Sequence, residues 1–436
     1  MTASVRMWNP ERETMPRPAL AALQAERLRR SVTYACERVP YYRAKMEAAG
    51  VRPESVRGLE DLPRLPFTVK QDFRAAYPTG TFARPMEEVV RIHASTGTTG
   101  KPTIVGYTAR DLDVWSELIA RLVVAAGVWR QDVVQIAFGY GLFTGGFGLH
   151  AGCERVGACV VPASAGNSDR QLMLMEDMGT TALVCTPSYA LYLGEMVQDR
   201  GLRDRLRLRW GLFGGEPWSE EMRAEIQRLL GITATDNYGL SEVIGPGVAY
   251  ECLAQGGMHI AEDHFIAEIV DPTTGTPLPA GAPGELVLTS LTKEALPVIR
   301  YRTGDLTALL AEPCACGRTH LRMTKTRGRT DDMIIVRGVN IFPSQVESVL
   351  AEFEHTRPHY RIVVDRVNNV DTFELQVEAS EAIFADRMRE MHGFHQRLAS
   401  RLQSVLGIKV DLKLVEPRTL RRFEGKAQRV EDRRKL

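Results

Sequence analysis

The stretch "ASTGTTGKPTIVGYT", from Ala94 to Thr108, combines three glycines, several hydroxyl side chains and one lysine. Glycine lets backbone N–H groups turn toward an anion, the hydroxyls add donors and the lysine adds positive charge. The stretch therefore predicts a phosphate-binding loop. It departs from the GxxxxGK[ST] loop, because Ser95 replaces the first glycine and Pro102 follows Lys101 where a magnesium-binding hydroxyl is required. Taken alone, the run is equally typical of a polar hairpin turn.

The whole chain has the composition of a globular protein. Its 436 residues exceed one ordinary core and favour two or three packed units. The formal charge of +1 gives no reason to expect a nucleic-acid or membrane partner, and the apolar runs are too short to span a bilayer. The first residues lack a secretory apolar core, and the seven scattered cysteines fit reduced thiols. These features predict a cytoplasmic location.

The hydrophobic pattern changes three times along the chain. Residues 1–75 carry apolar residues at helical spacing. From about Val89, short apolar runs alternate with amphipathic segments, which predicts an α/β core whose sheet is covered by helices and binds ligands at the carboxyl ends of its strands. Residues of about 260–325 are typical of antiparallel strands joined by Pro/Gly turns. We expect an N-terminal domain over 1–328 and a compact α+β domain over 329–436, with a long helix over about 382–406.

Four further motifs follow the loop, and their order and spacing carry a family resemblance. They are "DNYGLSE" (236–242), "YRTGD" (301–305), "GRTDDMIIVRG" (328–338) and "EGKAQR" (424–429). Together with the loop they resemble the adenylate-forming enzymes, which include acyl-CoA synthetases. The segments "GYGLFTGG" (139–146), "HIAEDHF" (259–265) and "RGVNIFPSQVE" (337–347) narrow the resemblance to the phenylacetate-CoA ligase family. The resemblance implies a large AMP-binding domain and a small, mobile C-terminal lid domain.

This resemblance also implies a reaction and its cofactors. Such enzymes use ATP and Mg²⁺ to convert an aryl acid into an acyl-adenylate with loss of pyrophosphate, and then transfer the acyl group to CoA. Positive charge and dense donors are needed because a carboxylate must approach a polyanion. By resemblance, Glu242 binds Mg²⁺, Asp305 binds the ribose hydroxyls, Arg329 contacts phosphate or the hinge, and Asp331 is the hinge. Lys426 would reach the carboxylate and α-phosphate, although a plain charge run is the alternative there.

The remaining nucleotide contacts implied by the resemblance fall into two groups. The phosphate group comprises Ser95, Thr96, Gly97, Thr98, Thr99, Gly100 and Lys101. The adenine group comprises Gly214, Gly215, Glu216, Pro217, Asp236, Asn237, Tyr238, Gly239 and Ser241.

An aryl-acid pocket is expected around "GYGLFTGG". Tyr140 and Phe143 offer flat apolar faces, and Tyr189 is expected to complete the pocket. Space for a ring would come from Gly141, Gly145 and Gly146. Core packing is the alternative for each aromatic. Phenylacetate is the default acid, while hydroxyphenylacetates, benzoates and aminobenzoates stay open, because Gly215 replaces the family's usual alanine and Gly304 an arginine that the family often has.

Four residues predict a structural metal site. Cys314 and Cys316 flank one residue in a tight turn, and Cys252 and His259 are separated by a short glycine-bearing loop. Three thiolates and one imidazole would close a tetrahedral zinc site with no open position, which is structural rather than catalytic. Unpaired cysteines in a surface loop are the alternative.

Two other functions stay open at this point. The activated acid could pass to a carrier-protein thiol or to an amine instead of CoA. A non-catalytic nucleotide-binding regulator is the third reading, and the intact set of Lys101, Glu242, Asp305 and Lys426 speaks against it. A homodimer is expected only because relatives commonly form one.

Overall fold

A computed structural model of the chain describes residues 6–95, 102–330, 334–337, 339–367, 370–381, 383, 388–423 and 428–434. The helices are α1 (Pro10–Glu13), α2 (Arg17–Arg38), α3 (Pro40–Ala48), α4 (Lys70–Ala75), α5 (Ala109–Ala125), α6 (Thr144–Val156), α7 (Ser168–Asp177), α8 (Pro187–Asp199), α9 (Glu220–Leu230), α10 (Pro343–Ala351) and α11 (Met388–Leu406). The strands are β1 (Arg91–Ala94), β2 (Ile104–Tyr107), β3 (Val133–Ile136), β4 (Cys159–Val161), β5 (Ala182–Cys185), β6 (Trp210–Gly214), β7 (Thr233–Leu240), β8 (Gly245–Glu251), β9 (Met258–Ile260), β10 (Phe265–Val270), β11 (Gly284–Ser290), β12 (Tyr301–Thr307), β13 (Leu309–Leu310), β14 (Arg322–Met323), β15 (Ile334–Val336), β16 (Val339–Ile341), β17 (Thr356–Val367), β18 (Val370–Ala379), β19 (Asp411–Val415) and β20 (Val430–Asp432).

A nine-stranded sheet in the order β13-β14-β9-β8-β7-β6-β5-β3-β4 forms the centre of the larger part of the chain. The five strands from β7 to β4 run parallel, and α6, α7, α8 and α9 lie between them in sequence. The run "ALVC" of β5 is buried throughout, as expected for a parallel strand that is covered on both faces. The predicted α/β class is confirmed.

Two of the helices that follow strands, α5 and α9, start at a capping side chain. Thr108 Oγ1 accepts the amide of Asp111 at 3.0 Å, and Asp111 Oδ2 accepts the amide of Thr108 at 3.0 Å, which closes a capping box before α5. Ser219 Oγ accepts the amide of Met222 before α9. Because these caps follow strand ends, they set the points where the chain leaves the sheet and turns back over it.

The region of about 260–325 is antiparallel, as expected, but it divides between two sheets. Strands β10, β11 and β12 form a three-stranded sheet of their own, whereas β13 and β14 join the edge of the large sheet beside β9. A bidentate ion pair ties helix α5 to the segment between β9 and β10: Arg121 donates to Asp263 at 2.8 and 3.0 Å, and both side chains are buried. Removing one partner would leave a buried charge without compensation.

The last hundred residues form a compact α+β unit. A four-stranded sheet in the order β19-β18-β17-β20 is covered by α10 and α11. Its apolar cluster includes Val364, Leu375 and Leu398 and contains no residue before Ile334 among those described. The helix expected over about 382–406 is present as α11 from Met388 onward.

None of the helices in the described ranges is both long enough and apolar enough to cross a membrane.

Candidate functional site

An open cleft lies at the carboxyl ends of β3, β6 and β7, with β12 contributing a further wall. This is the edge of a parallel sheet where ligands are expected. The predicted site residues that line it are Ser95, Phe143, Gly145, Gly215, Glu216, Pro217, Asp236, Asn237, Tyr238, Gly239, Ser241, Glu242, Asp305 and Arg329. Residues separated by more than two hundred positions thus meet around one cleft.

Two glycines at the end of β6 shape the cleft in different ways. A Cβ on Gly214 would lie 2.3 Å from the carbonyl oxygen of Asn237, so Gly214 allows β6 and β7 to approach and does not itself line the cleft. Gly215 adopts a left-handed φ of +84° and turns the chain into the cleft. The Glu216 carboxylate accepts the amide of Ser188 at 2.7 Å, which anchors this turn to the start of α8.

Asp305 presents a buried carboxylate held from two sides. Tyr238 donates its hydroxyl to Asp305 Oδ2 at 2.5 Å, and Arg329 Nη1 donates to Oδ1 at 2.8 Å. Burial and the adjacent Asp305 charge raise the pKa of Tyr238 well above its usual value, so the phenol stays a donor. A carboxylate oriented in this way can accept the hydroxyls of a ribose, which are vicinal donors.

Asp236 lies at the inner end of the cleft in a buried charged network. Its amide donates to Glu251 Oε2 at 2.8 Å, and Glu251 Oε1 accepts from Arg223 at 2.9 Å. Burial, followed by repulsion from Glu251, raises the pKa of Asp236 to about 7. Below about pH 7 the neutral form of the Asp236 carboxyl group is therefore favoured.

This raised pKa gives a testable pH dependence of stability. Between about pH 4 and pH 7 the folded chain keeps the Asp236 proton that the unfolded chain loses, so the free energy of unfolding falls as pH rises. We expect the difference in unfolding free energy between Asp236→Asn and the wild type to grow by about 2 kcal/mol in favour of the variant from pH 5 to pH 7, and then to level off. Urea unfolding across this range measures it. The control Asp411→Asn removes an exposed carboxyl group, and an equal gain there would contradict the assignment.

Glu242 and Ser95, the residues expected to bind Mg²⁺ and phosphate, both line the cleft. Glu242 is buried at the end of the β7 region, and the neighbouring Ser241 hydroxyl lies 3.1 Å from that of Thr144. Strands β1 and β2 pair as a hairpin, and Ser95 exchanges hydrogen bonds with Thr103 at its loop end. Carboxylate oxygen is the ligand type that Mg²⁺ prefers, so the donor chemistry of Glu242 fits this ion.

Several predicted residues lie outside the described ranges. They are Thr96, Gly97, Thr98, Thr99, Gly100, Lys101, Asp331 and Lys426.

An apolar part of the cleft wall fits an aryl group. The rings of Phe138 and Phe143 lie 6.3 Å apart, and Gly145 and Leu149 complete the wall. Tyr140 packs on Phe147 instead and bonds to His150 at 3.1 Å.

Three other predicted pocket residues also lie away from this wall. Tyr189 is fully buried, and its hydroxyl lies 3.1 Å from that of Ser168. Gly141 and Gly146 do not line the described part of the cleft. Their assignment to the acid pocket therefore stays a prediction.

Sequence reasoning missed several residues that line the cleft. They include Lys70, Phe138, Thr144, Leu149, Leu240, Pro246, Met258, Tyr301, Thr303 and Thr326. Tyr301 and Thr303 lie four and two positions before Asp305 in β12. Because every second residue of a strand lies on the same face, this spacing could have predicted that they line the cleft with Asp305. No sequence pattern could have predicted that Lys70 lines the cleft. It lies beside β12 only because the backbone of Thr68 pairs with Arg300 and Arg302.

The four predicted metal ligands converge at the edge of the large sheet. Their ligand atoms, from Cys252, His259, Cys314 and Cys316, all lie within 4.8 Å of one another. The Cys252 and Cys314 sulfurs are 3.7 Å apart, and Cys316 Sγ is 3.3 Å from His259 Nε2. A tetrahedral zinc site with Zn–S bonds of about 2.3 Å has edges of about 3.8 Å between sulfurs. The donor set and its spacing therefore fit Zn²⁺.

Comparisons with known proteins agree with this geometry. Residues 22–292 match the AMP-binding enzyme family, and residues 338–434 match the AMP-binding enzyme C-terminal domain. Phenylacetate-coenzyme A ligase of Thermus thermophilus is 50% identical over 98% of this chain and its own full length. The enzyme of the same name from Escherichia coli is also 50% identical, over 97% of each chain.

A solved relative allows two conformations to be compared. The structure of 2-hydroxyisobutyryl-CoA ligase in the postadenylation state with 2-HIB-AMP matches with a TM-score of 0.91 and 32% identity, over 99% of this chain and 93% of the relative. The same enzyme with 2-HIB-AMP and CoA in the thioesterification state matches with a TM-score of 0.73 and 32% identity, over 100% and 94%. The arrangement of this chain is thus nearer to the postadenylation state.

The predicted family is confirmed by near full-length relatives and by both matched families. This chain is an AMP-binding enzyme, an acid–thiol ligase that belongs to the phenylacetate-CoA ligase family.

Proposed function

We propose that the protein activates phenylacetate or a close aryl relative with Mg-ATP and transfers the acyl group to CoA, with release of AMP and pyrophosphate. The observation that carries this proposal is one cleft lined by both polar and apolar side chains. The oriented Asp305 carboxylate, Glu242 and Ser95 supply polar groups, and Phe138 and Phe143 supply an apolar surface. Such a cleft suits a nucleotide joined to an aryl acyl group.

The proposed roles follow from the chemistry of these side chains. Asp305 binds the ribose, supported by Tyr238 and Arg329. Glu242 holds Mg²⁺, which neutralises phosphate charge while the acid approaches. Ser95 starts the phosphate loop, and Lys101 and Lys426 add positive charge during adenylation. These two lysines keep the roles implied by the family resemblance.

The test is a pyrophosphate-release assay with phenylacetic, hydroxyphenylacetic, benzoic and aminobenzoic acids, each with Mg-ATP and with or without CoA. The proposal expects release with one aryl acid and formation of AMP and acyl-CoA when CoA is present. Release that stalls with CoA but proceeds with a carrier protein or an amine would assign the acceptor differently. No release with any acid would overturn the proposed activity.

We also propose that the cluster of Cys252, His259, Cys314 and Cys316 holds a structural Zn²⁺. It would join the loop after β8 to the loop before β14. All four ligands come from the protein, so the site leaves no position for a substrate. Its role is to stabilise this edge of the sheet.

The domain division proposed is 1–328 and 329–436, with Asp331 as the hinge. It is supported by the separate apolar cluster of the C-terminal unit. A cytoplasmic location and a homodimer stay predictions.

A further inference from the structure

Helix α8 of the N-terminal domain carries two carboxylates that face the C-terminal unit. Glu195 and Asp199 are four residues apart and therefore lie on the same side of the helix. Glu195 Oε1 accepts from His359 Nε2 at 2.8 Å, and Glu195 Oε2 lies 3.5 Å from Arg422 Nε. Asp199 pairs with Arg418. These five residues, which we call the α8 latch, join the two parts of the chain.

The basic side of the latch is fixed firmly within the C-terminal unit. Arg422 donates two bonds to the buried Glu378 carboxylate, at 2.7 and 2.8 Å. Glu378 also accepts the amide of Leu420 at 2.9 Å. A bidentate arginine–carboxylate pair has defined geometry. Because Glu378 binds both the Arg422 side chain and the Leu420 amide, a contact that holds Arg422 also helps to hold the backbone at Leu420.

Arg422 stands four positions before Lys426 in sequence, and His359 lies on β17 of the same sheet that β20 extends. Glu195 thus contacts both the sheet and the segment leading to the proposed adenylation lysine. The latch residues are only partly exposed at Glu195, Arg422 and His359, where the contacts are screened less than on an open surface. The chain matches a solved relative better in its postadenylation state than in its thioesterification state.

We propose that Glu195 is a positioning residue for the first half-reaction: through His359 and Arg422 it holds the C-terminal unit in the orientation that forms the adenylate. The inference rests on the proposed function. Glu195 does not line the cleft and acts only through the orientation of the C-terminal unit. Its removal should therefore affect adenylate formation and leave transfer from a finished adenylate to CoA nearly unchanged.

The experiment measures the two half-reactions separately in the full-length protein. We expect Glu195→Ala to slow acid-dependent ATP–pyrophosphate exchange about tenfold and to change thioester formation from supplied phenylacetyl-adenylate by less than about twofold, since tenfold is about 1.4 kcal/mol. Glu195→Gln, which keeps an acceptor without charge, should lie between Glu195→Ala and the wild type. His359→Gln combined with Glu195→Ala should add little to the single loss.

The matched control is Asp169→Ala, which removes an exposed carboxylate paired with Arg200, the residue after α8, within the N-terminal domain. It should leave both rates unchanged. Equal loss of both half-reactions in Glu195→Ala, or no loss in either, would overturn the latch. An equal effect of Asp169→Ala would do the same.

A second measurement does not depend on activity. Amide hydrogen exchange of Glu195→Ala should become faster over 356–364 and 418–423, while the nine-stranded sheet keeps its protection. Unchanged exchange in both segments would also overturn the latch. A wild-type protein that exchanges no pyrophosphate with any aryl acid would instead refute the proposed function, so the two failures are distinguishable.

Discussion

Replacing Asp305 by alanine is expected to lower kcat/KM for ATP by about a hundredfold or more. The carboxylate is buried and oriented by Tyr238 and Arg329, and we propose that its remaining acceptor capacity binds both ribose hydroxyls. A hydrogen bond to a charged group contributes about 1.5–3 kcal/mol, so losing two gives a loss of this size or larger. Steady-state kinetics with varied ATP measure it, with the aryl acid and CoA held at saturation.

Asp305→Asn is the graded control for this prediction. The asparagine keeps one acceptor oxygen and replaces the other with an NH2 donor, so it can still accept some of these hydrogen bonds. Its decrease in kcat/KM for ATP should therefore be smaller than that of Asp305→Ala. The melting temperature of each variant separates an effect on binding from an effect on folding. An unchanged kcat/KM for ATP in Asp305→Ala would refute the ribose assignment.

Loss of the proposed zinc is expected to have the second large effect, and it should appear in stability. We expect the double variant Cys314→Ser, Cys316→Ser to lose one equivalent of zinc and about 4–5 kcal/mol of unfolding free energy. The reason is that the cluster joins loops far apart in sequence at the sheet edge, so metal binding free energy adds to folding free energy. Metal content by mass spectrometry and urea unfolding measure the two quantities.

Cys159→Ser is the matched control, since Cys159 is an exposed thiol on β4 outside the cluster. It should retain both zinc and stability. Wild-type protein that contains no stoichiometric zinc, together with normal unfolding of the double variant, would refute the site. Reduced stability of both variants by the same amount would point to thiol loss in general and would also refute it.

The residue patterns predicted the polar residues of the cleft better than its apolar ones. "DNYGLSE" and "YRTGD" are local motifs whose side chains do meet around the cleft. The aromatic residues were harder to assign, since Tyr140 and Tyr189 have the same apolar character as Phe138 and Phe143. Their spacing along the chain could not distinguish a ring that faces the cleft from one that bonds to His150 or Ser168.

The interdomain contacts had no local signal. Glu195 and Asp199 are two acidic positions four residues apart, and Arg418 and Arg422 stand in a basic run, so neither pair by itself points to the other. Only the docking of the C-terminal unit brings His359 and Arg422 to Glu195. The partners are more than 160 residues away in the chain, a separation that periodicity does not reach.

Local residue patterns predicted the α/β class, the family and the residues of the candidate metal cluster. The spatial partners of the other residues came from the tertiary structure. It brought Lys70 to the cleft through the pairing of Thr68 with β12, placed β13 and β14 in the large sheet, and turned Tyr140 and Tyr189 away from the apolar wall. The physical reason is that side-chain direction and strand partner are chosen by packing between segments distant in sequence, where several arrangements satisfy the same local pattern.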